Sequence, residues 1–390
     1  MRKTAEKKRR FLILTALLAI MSVTALCAGA LAEKTLTFTF AGDCTLGSEE
    51  SKRGAANSFV STYYEKGPDY FMANFRSLFE QDDWTIVNLE CVFSDNRADE
   101  KTSKRYRFRG DLEFVKILTG SSVEAVGLAN NHTGDYGNQG IRHTKETLEE
   151  NSIAWFMGTE PVIFEKDGIH VAFYAVDNMT VYNKGEELRK SMDTVRENGQ
   201  ADAIIMMYHC GTEYDPRHNV NQENMAKVYI AHGADLIVMH HPHVLQGIRI
   251  ANNRSVFYSL GNFTFGGNDR IKEKLVNTRL ATSLYTMVLQ ARLRFSDDGE
   301  YLGQQMTVIP GVTTSAEPPI NDFRPRLATE EEAVQAVAAI QTDTDFDLPL
   351  LTEEDGIWKM VMPYLPARYL PTPESPEPAP AAPSRETKGE

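Results

Sequence analysis

From Glu33 to about Asp345 the chain alternates short apolar runs with segments of helical period. Leu36-Thr37-Phe38-Thr39-Phe40 is apolar at every second position, the spacing of a strand with a buried face, and it stops at Ala41-Gly42-Asp43. Trp84–Val87 stops at Asn88-Leu89-Glu90, and Val123–Leu128 stops just short of Asn130-Asn131-His132. Ala203–Tyr208 is followed by His209, Leu236–Met239 by His240-His241-Pro242-His243, and Arg254–Leu260 by Gly261-Asn262. Helices are predicted over Tyr70–Glu80, Leu112–Thr119, Ile141–Glu150 and Gln222–His232. Strands alternating with helices give an α/β fold class. The later runs Ser283–Phe295 and Gly303–Pro310 have no helix between them, so a purely parallel sheet is not expected. Nearly every unusual polar cluster falls where an apolar strand ends, the edge at which open α/β sheets bind ligands.

The two ends of the chain read differently. Residues 1–32 open with six basic residues, continue through an apolar run from Phe11 to Leu26, and reach Ala30-Leu31-Ala32, a pattern of the A-x-A cleavage type. Such a segment sends the remainder of the chain out of the cytoplasm, as a signal peptide or as an uncleaved signal-anchor that tethers the protein to the membrane. The domain organisation is therefore residues 1–32 for export, 33–345 for the α/β domain, 346–370 for a C-terminal extension and 371–390 for a tail. That tail holds six prolines and almost nothing apolar, so it is expected to be disordered.

Charge narrows the partners. Without residues 1–32 the chain keeps 35 Lys and Arg against 53 Asp and Glu, a net charge of −18. This excludes a nucleic-acid-binding surface and argues against adsorption to anionic lipid. A negative protein still binds a negative substrate where the site itself is positive, and a metal ion is the usual means. Cys44, Cys91 and Cys210 are too few for a disulfide framework. Each directly follows a candidate site residue, and they are expected in the core behind it, with thiolate ligation or a Cys44–Cys91 bridge as alternatives.

His241-Pro242-His243 is the sharpest local signal. A residue before proline is pushed out of the helical region, so His241 is expected to be extended, with both imidazoles on one side and His240 facing away. Taken singly, Asp43 and Glu90 would be ordinary turn or cap residues, Asn131-His132 a turn, and His209 a satisfied structural histidine. Together, two carboxylates, an asparagine oxygen and three or four imidazoles on one edge supply ligands for one or two divalent ions.

The ordered set Gly42-Asp43-x-x-Leu46-Gly47, Asn88-Leu89-Glu90, Ala129-Asn130-Asn131-His132 with Asp135 and Gly137, His209-x-Gly211-x-Glu213-Tyr214, His240-His241-Pro242-His243-Val244-Leu245-Gln246 and Tyr258-Ser259-Leu260-Gly261-Asn262-Phe263 resembles the bacterial CapA family of poly-γ-glutamate capsule synthesis, relatives of the calcineurin-like metallophosphatases. The resemblance covers about residues 35–310. It implies a four-layer α-β-β-α sandwich and one or two divalent ions (Mn, Zn, Fe or Mg). It places Asp43, Glu90, Asn131, His209, His241 and His243 as metal ligands, with His132 as the catalytic histidine. Glu213 falls where it would orient a nucleophile or complete the metal shell. Arg107 and Arg109, with Asn88 and Asp135, are assigned to substrate contact; the two guanidiniums, on one side of an extended segment, suit a carboxylate or phosphate. Two departures stand out: the phosphatase Asp-x-His is here Asp43-Cys44-Thr45, and Met239 occupies a frequent Gly position.

The function expected from this set is metal-dependent hydrolysis or transfer on an anionic extracytoplasmic polymer, which the resemblance implies is poly-γ-glutamate. The rival is a non-catalytic, membrane-anchored assembly factor that partners a polymer synthase. A glycosidase using Asp43 and Glu90 as its acid pair leaves the histidines unexplained.

Overall fold

The computed structural model describes residues 33–367. Residues 1–32, expected above to direct export, and the proline-rich tail lie outside the described residues. Ten strands and four helices carry the architecture. The strands are β1 (Lys34–Thr45), β2 (Trp84–Leu89), β3 (Ala125–Gly127), β4 (Ile169–Asp177), β5 (Ala203–His209), β6 (Leu236–His240), β7 (Arg254–Phe257), β8 (Asn262–Phe265), β9 (Tyr285–Phe295) and β10 (Tyr301–Val312). The helices are α1 (Gly137–Glu150), α2 (Asn178–Glu197), α3 (Val220–Ala231) and α4 (Glu330–Gln341).

Two sheets face each other. In the first, β10, β9, β1, β2 and β3 run in that order, with Ala154–Phe156 beyond β3. β1, β2 and β3 are parallel, while β9 and β10 join antiparallel through the long register Lys34↔Phe295 to Phe40↔Leu289. In the second, β7, β6, β5 and β4 are parallel neighbours, edged by antiparallel Ile248–Ala251 and Val162–Lys166. The sheets are thus mixed.

Alternation along each strand sorts the apolar residues into layers. Leu36, Phe38 and Phe40 of β1 meet Phe173, Ile205 and Val238 of the second sheet in the central layer. Val87 and Leu89 point the other way, onto Phe59, Phe75, Leu118 and Leu148 from the helical segments outside the first sheet. Tyr174, Met206 and Met239 point outward from the second sheet onto Leu188 and Met192 of α2 and Tyr229 of α3. The result is the four-layer α-β-β-α sandwich. Burial on both faces explains why β5 (AIIMMYH) and β6 (LIVMH) read as continuous apolar runs.

Several elements differ from the sequence expectation. Tyr70–Glu80 contains only the helical turn Arg76–Phe79, and Leu112–Thr119 is a 3-10 turn leading into Val115–Thr119. The stretch expected as a C-terminal extension, described as far as residue 367, packs against the first sheet. Ile357–Val361 pairs with β10, and Met360 and Met362 are buried in the central layer. No helix among the described residues is long and apolar enough to cross a membrane.

Candidate metal centre

The carboxyl ends of β1, β2, β3, β5 and β6 converge at the seam between the sheets. Asp43 reaches that seam through a bulge. β1 pairs one-to-one with β2 as far as Ala41↔Val87; the register then shifts so that Asp43 faces Asn88. Without the extra residue, Asp43 would share the outward face of Ala41; with it, Asp43 shares the inward face of Ile86 and Asn88. Gly42 makes the bulge possible, since a Cβ there would lie 2.1 Å from the Gly261 carbonyl oxygen. That same carbonyl accepts from the Asp43 backbone N–H at 2.9 Å.

Asp43 is fully buried and fully engaged. Its Oδ1 accepts from Asn88 Nδ2 at 2.8 Å and lies 3.2 Å from His240 Nδ1; its Oδ2 accepts from the His241 backbone N–H at 3.2 Å and lies 3.3 Å from His243 Nδ1. Burial works to raise its pKa, yet the His240 and His243 imidazoles outweigh it and hold the carboxyl well below its usual range.

Glu90 is the opposite case. It is equally buried, and neither Oε1 nor Oε2 has a hydrogen-bond partner. The Nε2 atoms of His209, His243 and His132 stand around Oε1 at 3.5, 3.9 and 4.0 Å, too far to bond it. Burial first, then Asp43, Glu213 and Asp135, push its pKa well above the ordinary value against the opposing pull of His243. A buried carboxylate without donors costs free energy unless a cation meets it. Three overlapping ligand groups surround it: Glu90, His209 and His241; Asp43, Glu90 and His243; and Glu213, His241 and His243. Within each, the ligand atoms lie within 4.8 Å of one another. Among the described residues, this donor set of carboxylates and imidazoles fits one or two divalent ions.

The imidazoles are prepared by their neighbours. Burial, then His241, depress His209 well below its ordinary pKa; burial, then His243, bring His241 to about 4. Both rings are therefore neutral near pH 7, the state that can ligate. Burial alone would lower His243, but the Glu90 and Asp43 carboxylates prevail and lift it to about 10, so without a cation this ring carries a proton that ligation must displace. Its Nδ1 sits 2.9 Å from Asn262 Oδ1, and β8 is brought there by pairing parallel to β1 at Asp43↔Asn262. His209 Nε2 lies 2.8 Å from Asn131 Oδ1 and 3.0 Å from His241 Nδ1, so Asn131 belongs to the cluster. His132 stands beside it: its Nδ1 is 2.7 Å from Asp135 Oδ2, and Phe108 packs on its ring at 4.4 Å.

Several side chains sit elsewhere than their sequence positions imply. His241 is not extended: its φ is +104° and that of His243 +59°, so a strained turn, not strand alternation, aims the two rings. His240 does not face away but lies against Asp43. Asp135 has no face open to substrate; it is fully buried, accepts from the Phe108 backbone N–H at 2.9 Å and pairs with Lys104. Asn88 is buried between Asp43 and His209. Arg107 turns to Glu100, and Arg109 to Glu50 and Asp111, so neither guanidinium lines the seam. Cys44, Cys91 and Cys210 are buried free thiols in the apolar layers outside the two sheets, with burial raising the pKa of each, and none of them belongs to the ligand groups at the seam. The sequence reading missed His240 and Asn262, although both lie inside the motifs that carry the resemblance, and Lys101 and Lys104, whose loop has no periodicity.

Residues 37–267 match the family profile described as "Bacterial capsule synthesis protein PGA_cap". The chain is 29% identical over 254 residues to "Capsule biosynthesis protein CapA" of Bacillus anthracis, covering 59% of this chain and 60% of that protein. It is 27% identical over 251 residues to "PGA biosynthesis protein CapA" of Bacillus subtilis (strain 168), covering 59% and 63%. The match thus spans less than two thirds of either relative. Among solved structures, a hypothetical protein from Thermus thermophilus shares 13% identity at a TM-score of 0.40, over 70% of this chain and 99% of that one, too distant to carry an argument. The profile match extends over more than half the chain and contains almost every residue of the seam: this protein belongs to the bacterial capsule synthesis (PGA_cap) family.

Proposed function

We propose that this protein is a metal-dependent hydrolase or transferase that acts on poly-γ-glutamate, or a closely similar anionic polymer, during capsule synthesis outside the cytoplasmic membrane. The observation that supports it best is Glu90, a buried carboxylate with two unpartnered oxygens inside a ring of imidazoles. The family and its two CapA relatives supply the polymer, and the basic-then-apolar residues 1–32 supply the export.

When bound, a divalent cation supplies Lewis-acid polarisation of the scissile oxygen and offsets the charge of an anionic substrate. Asp43, Glu90, Asn131, His209, His241 and His243 would hold it. Asp135 fixes the His132 ring through Nδ1, which leaves Nε2 facing the seam. His132 is then placed to take a proton from the attacking water or amine and return it to the leaving group, with Asp135 stabilising the imidazolium. Glu213, exposed at the mouth beside His241 and His243, orients the nucleophile or closes the ligand shell.

A second reading, a non-catalytic factor that grips polymer for a membrane-embedded synthase, draws on Thr45. It stands where the phosphatases carry an imidazole, and its buried hydroxyl donates to the Glu90 backbone carbonyl at 3.2 Å. Incubating the full-length protein with poly-γ-glutamate and with bis-nitrophenyl phosphate, with and without Mn²⁺ or Zn²⁺, separates the two. Metal-dependent product lost in His132→Ala is the expected result; tight polymer binding with no product under any metal overturns the enzyme.

A further inference from the structure

Beside the metal centre lies a cavity of about 410 Å³, with His209, His241 and Asn131 on one wall and the loop bearing Lys101 and Lys104 on another. Its charge is unusual for so acidic a chain. Among the described residues, Asp177 is the only carboxylate in its lining, and that side chain caps α2: Oδ1 accepts from the Thr180 N–H at 2.8 Å and from Thr180 Oγ1 at 2.6 Å. Lys104 is committed too, its ammonium bonding the Asn131 carbonyl at 2.7 Å and the buried Asp135. Lys101 is different. It is exposed, no carboxylate among the described residues pairs with it, and its Nζ lies where a Cβ on Gly134 would approach to 3.0 Å. The uncompensated charge of the cavity is therefore one ammonium, held over a glycine that leaves room for it.

The loop carrying Lys101 also holds the catalytic dyad. The Lys101 backbone N–H donates to the Asp135 carbonyl at 2.9 Å, the Phe108 N–H donates to Asp135 Oδ2, and the Phe108 ring packs on His132. A ligand gripped by Lys101 is thereby referred to the same residue that orients His132.

We infer that this cavity is a carboxylate-binding subsite in which Lys101 pairs with a free carboxylate of the polymer flanking the bond at the metal centre. The inference rests on the function proposed above and adds the residue that selects a polyanion. A mobile surface ammonium suits the task, because a repeated carboxylate must be gripped in register and released.

Oligo-γ-glutamate of defined length, titrated into the full-length protein by calorimetry, reads the subsite without requiring turnover. Lys101→Glu is expected to weaken binding at least about fivefold, while Lys101→Arg stays near wild type. Gly134→Ala, which displaces the ammonium, is expected to fall between them. Metal content by elemental analysis should be the same in all three. Equal affinity in wild type and Lys101→Glu, with metal content intact, overturns the subsite but leaves the metal centre standing; loss of metal uptake in the wild-type protein would instead strike the function on which the subsite rests.

Discussion

His132 Nδ1 lies 2.7 Å from Asp135 Oδ2, and the opposite ring nitrogen points at Glu90 Oε1 from 4.0 Å. One edge of the imidazole is tied to a carboxylate that is itself held by Lys104 and the Phe108 N–H; the other edge is left free toward the ligand cluster. The first expectation comes from this asymmetry. His132→Ala should lower metal-dependent turnover by roughly 10²–10⁴-fold, and Asp135→Asn should lower it through the wrong tautomer. Both should keep their metal. Steady-state assays beside elemental analysis check this, and undiminished turnover in His132→Ala would remove the residue from the mechanism.

Glu90 sets function against stability. In metal-free protein its unpartnered carboxylate is a burden, so Glu90→Gln should raise unfolding stability in EDTA by about 1–3 kcal/mol. With saturating Mn²⁺ the order should reverse, because the wild type gains stability by binding and the variant does not. Chemical denaturation with and without chelator reads both signs, and a variant stabilised by metal as strongly as wild type contradicts the assignment.

Gly42 tests the bulge. Alanine there brings its Cβ to 2.1 Å from the Gly261 carbonyl oxygen, a backbone atom that cannot step aside. Gly42→Ala should cost about 2 kcal/mol or more and should weaken metal binding by moving Asp43. Unchanged stability would mean that β1 and β8 do not approach as described.

Much of this was legible in the sequence, and the reasons are physical. The strands ending at Asp43, Glu90, His209 and His240 announce themselves because apolar side chains fill both faces of parallel strands in a four-layer fold. The direction of each side chain was less accessible. The face shown by Asp43 depends on a one-residue bulge, that of His240 follows the alternation of Leu236 and Val238 along its strand, and those of His241 and His243 depend on positive φ angles in the turn. Arg107 and Arg109 looked available because Glu100, Glu50 and Asp111 lie outside any local pattern. α2 went unseen because, of its 20 residues, only Leu188, Met192 and Val195 are buried.

Asp82 gives a pH dependence separate from the metal centre. Burial above all, assisted by Glu124 and opposed by the neighbouring Thr39 and by the hydrogen bond from Thr85 Oγ1 at 2.7 Å, raises its pKa to about 6. In the unfolded chain it titrates near the ordinary ~3.9. Between those values the folded state holds the extra proton, so this group favours folding at low pH and the benefit is lost as pH rises through about 6. Asp82→Asn keeps an acceptor for Thr85 Oγ1 but carries no charge. Its stability relative to wild type should therefore grow between about pH 4 and 6.5 and then level off, as urea midpoints at several pH values will show; a constant difference across that range contradicts the assignment.

Carboxylates and imidazoles from separate strand ends are expected to hold a divalent cation together. Equilibrium dialysis of the full-length protein against Mn²⁺ or Zn²⁺, followed by elemental analysis, addresses it most directly. One to two ions per wild-type chain, and none in the His241→Ala/His243→Ala double variant with its fold intact by circular dichroism, is the predicted result. Full retention by that variant, or no retention by the wild type, would contradict it.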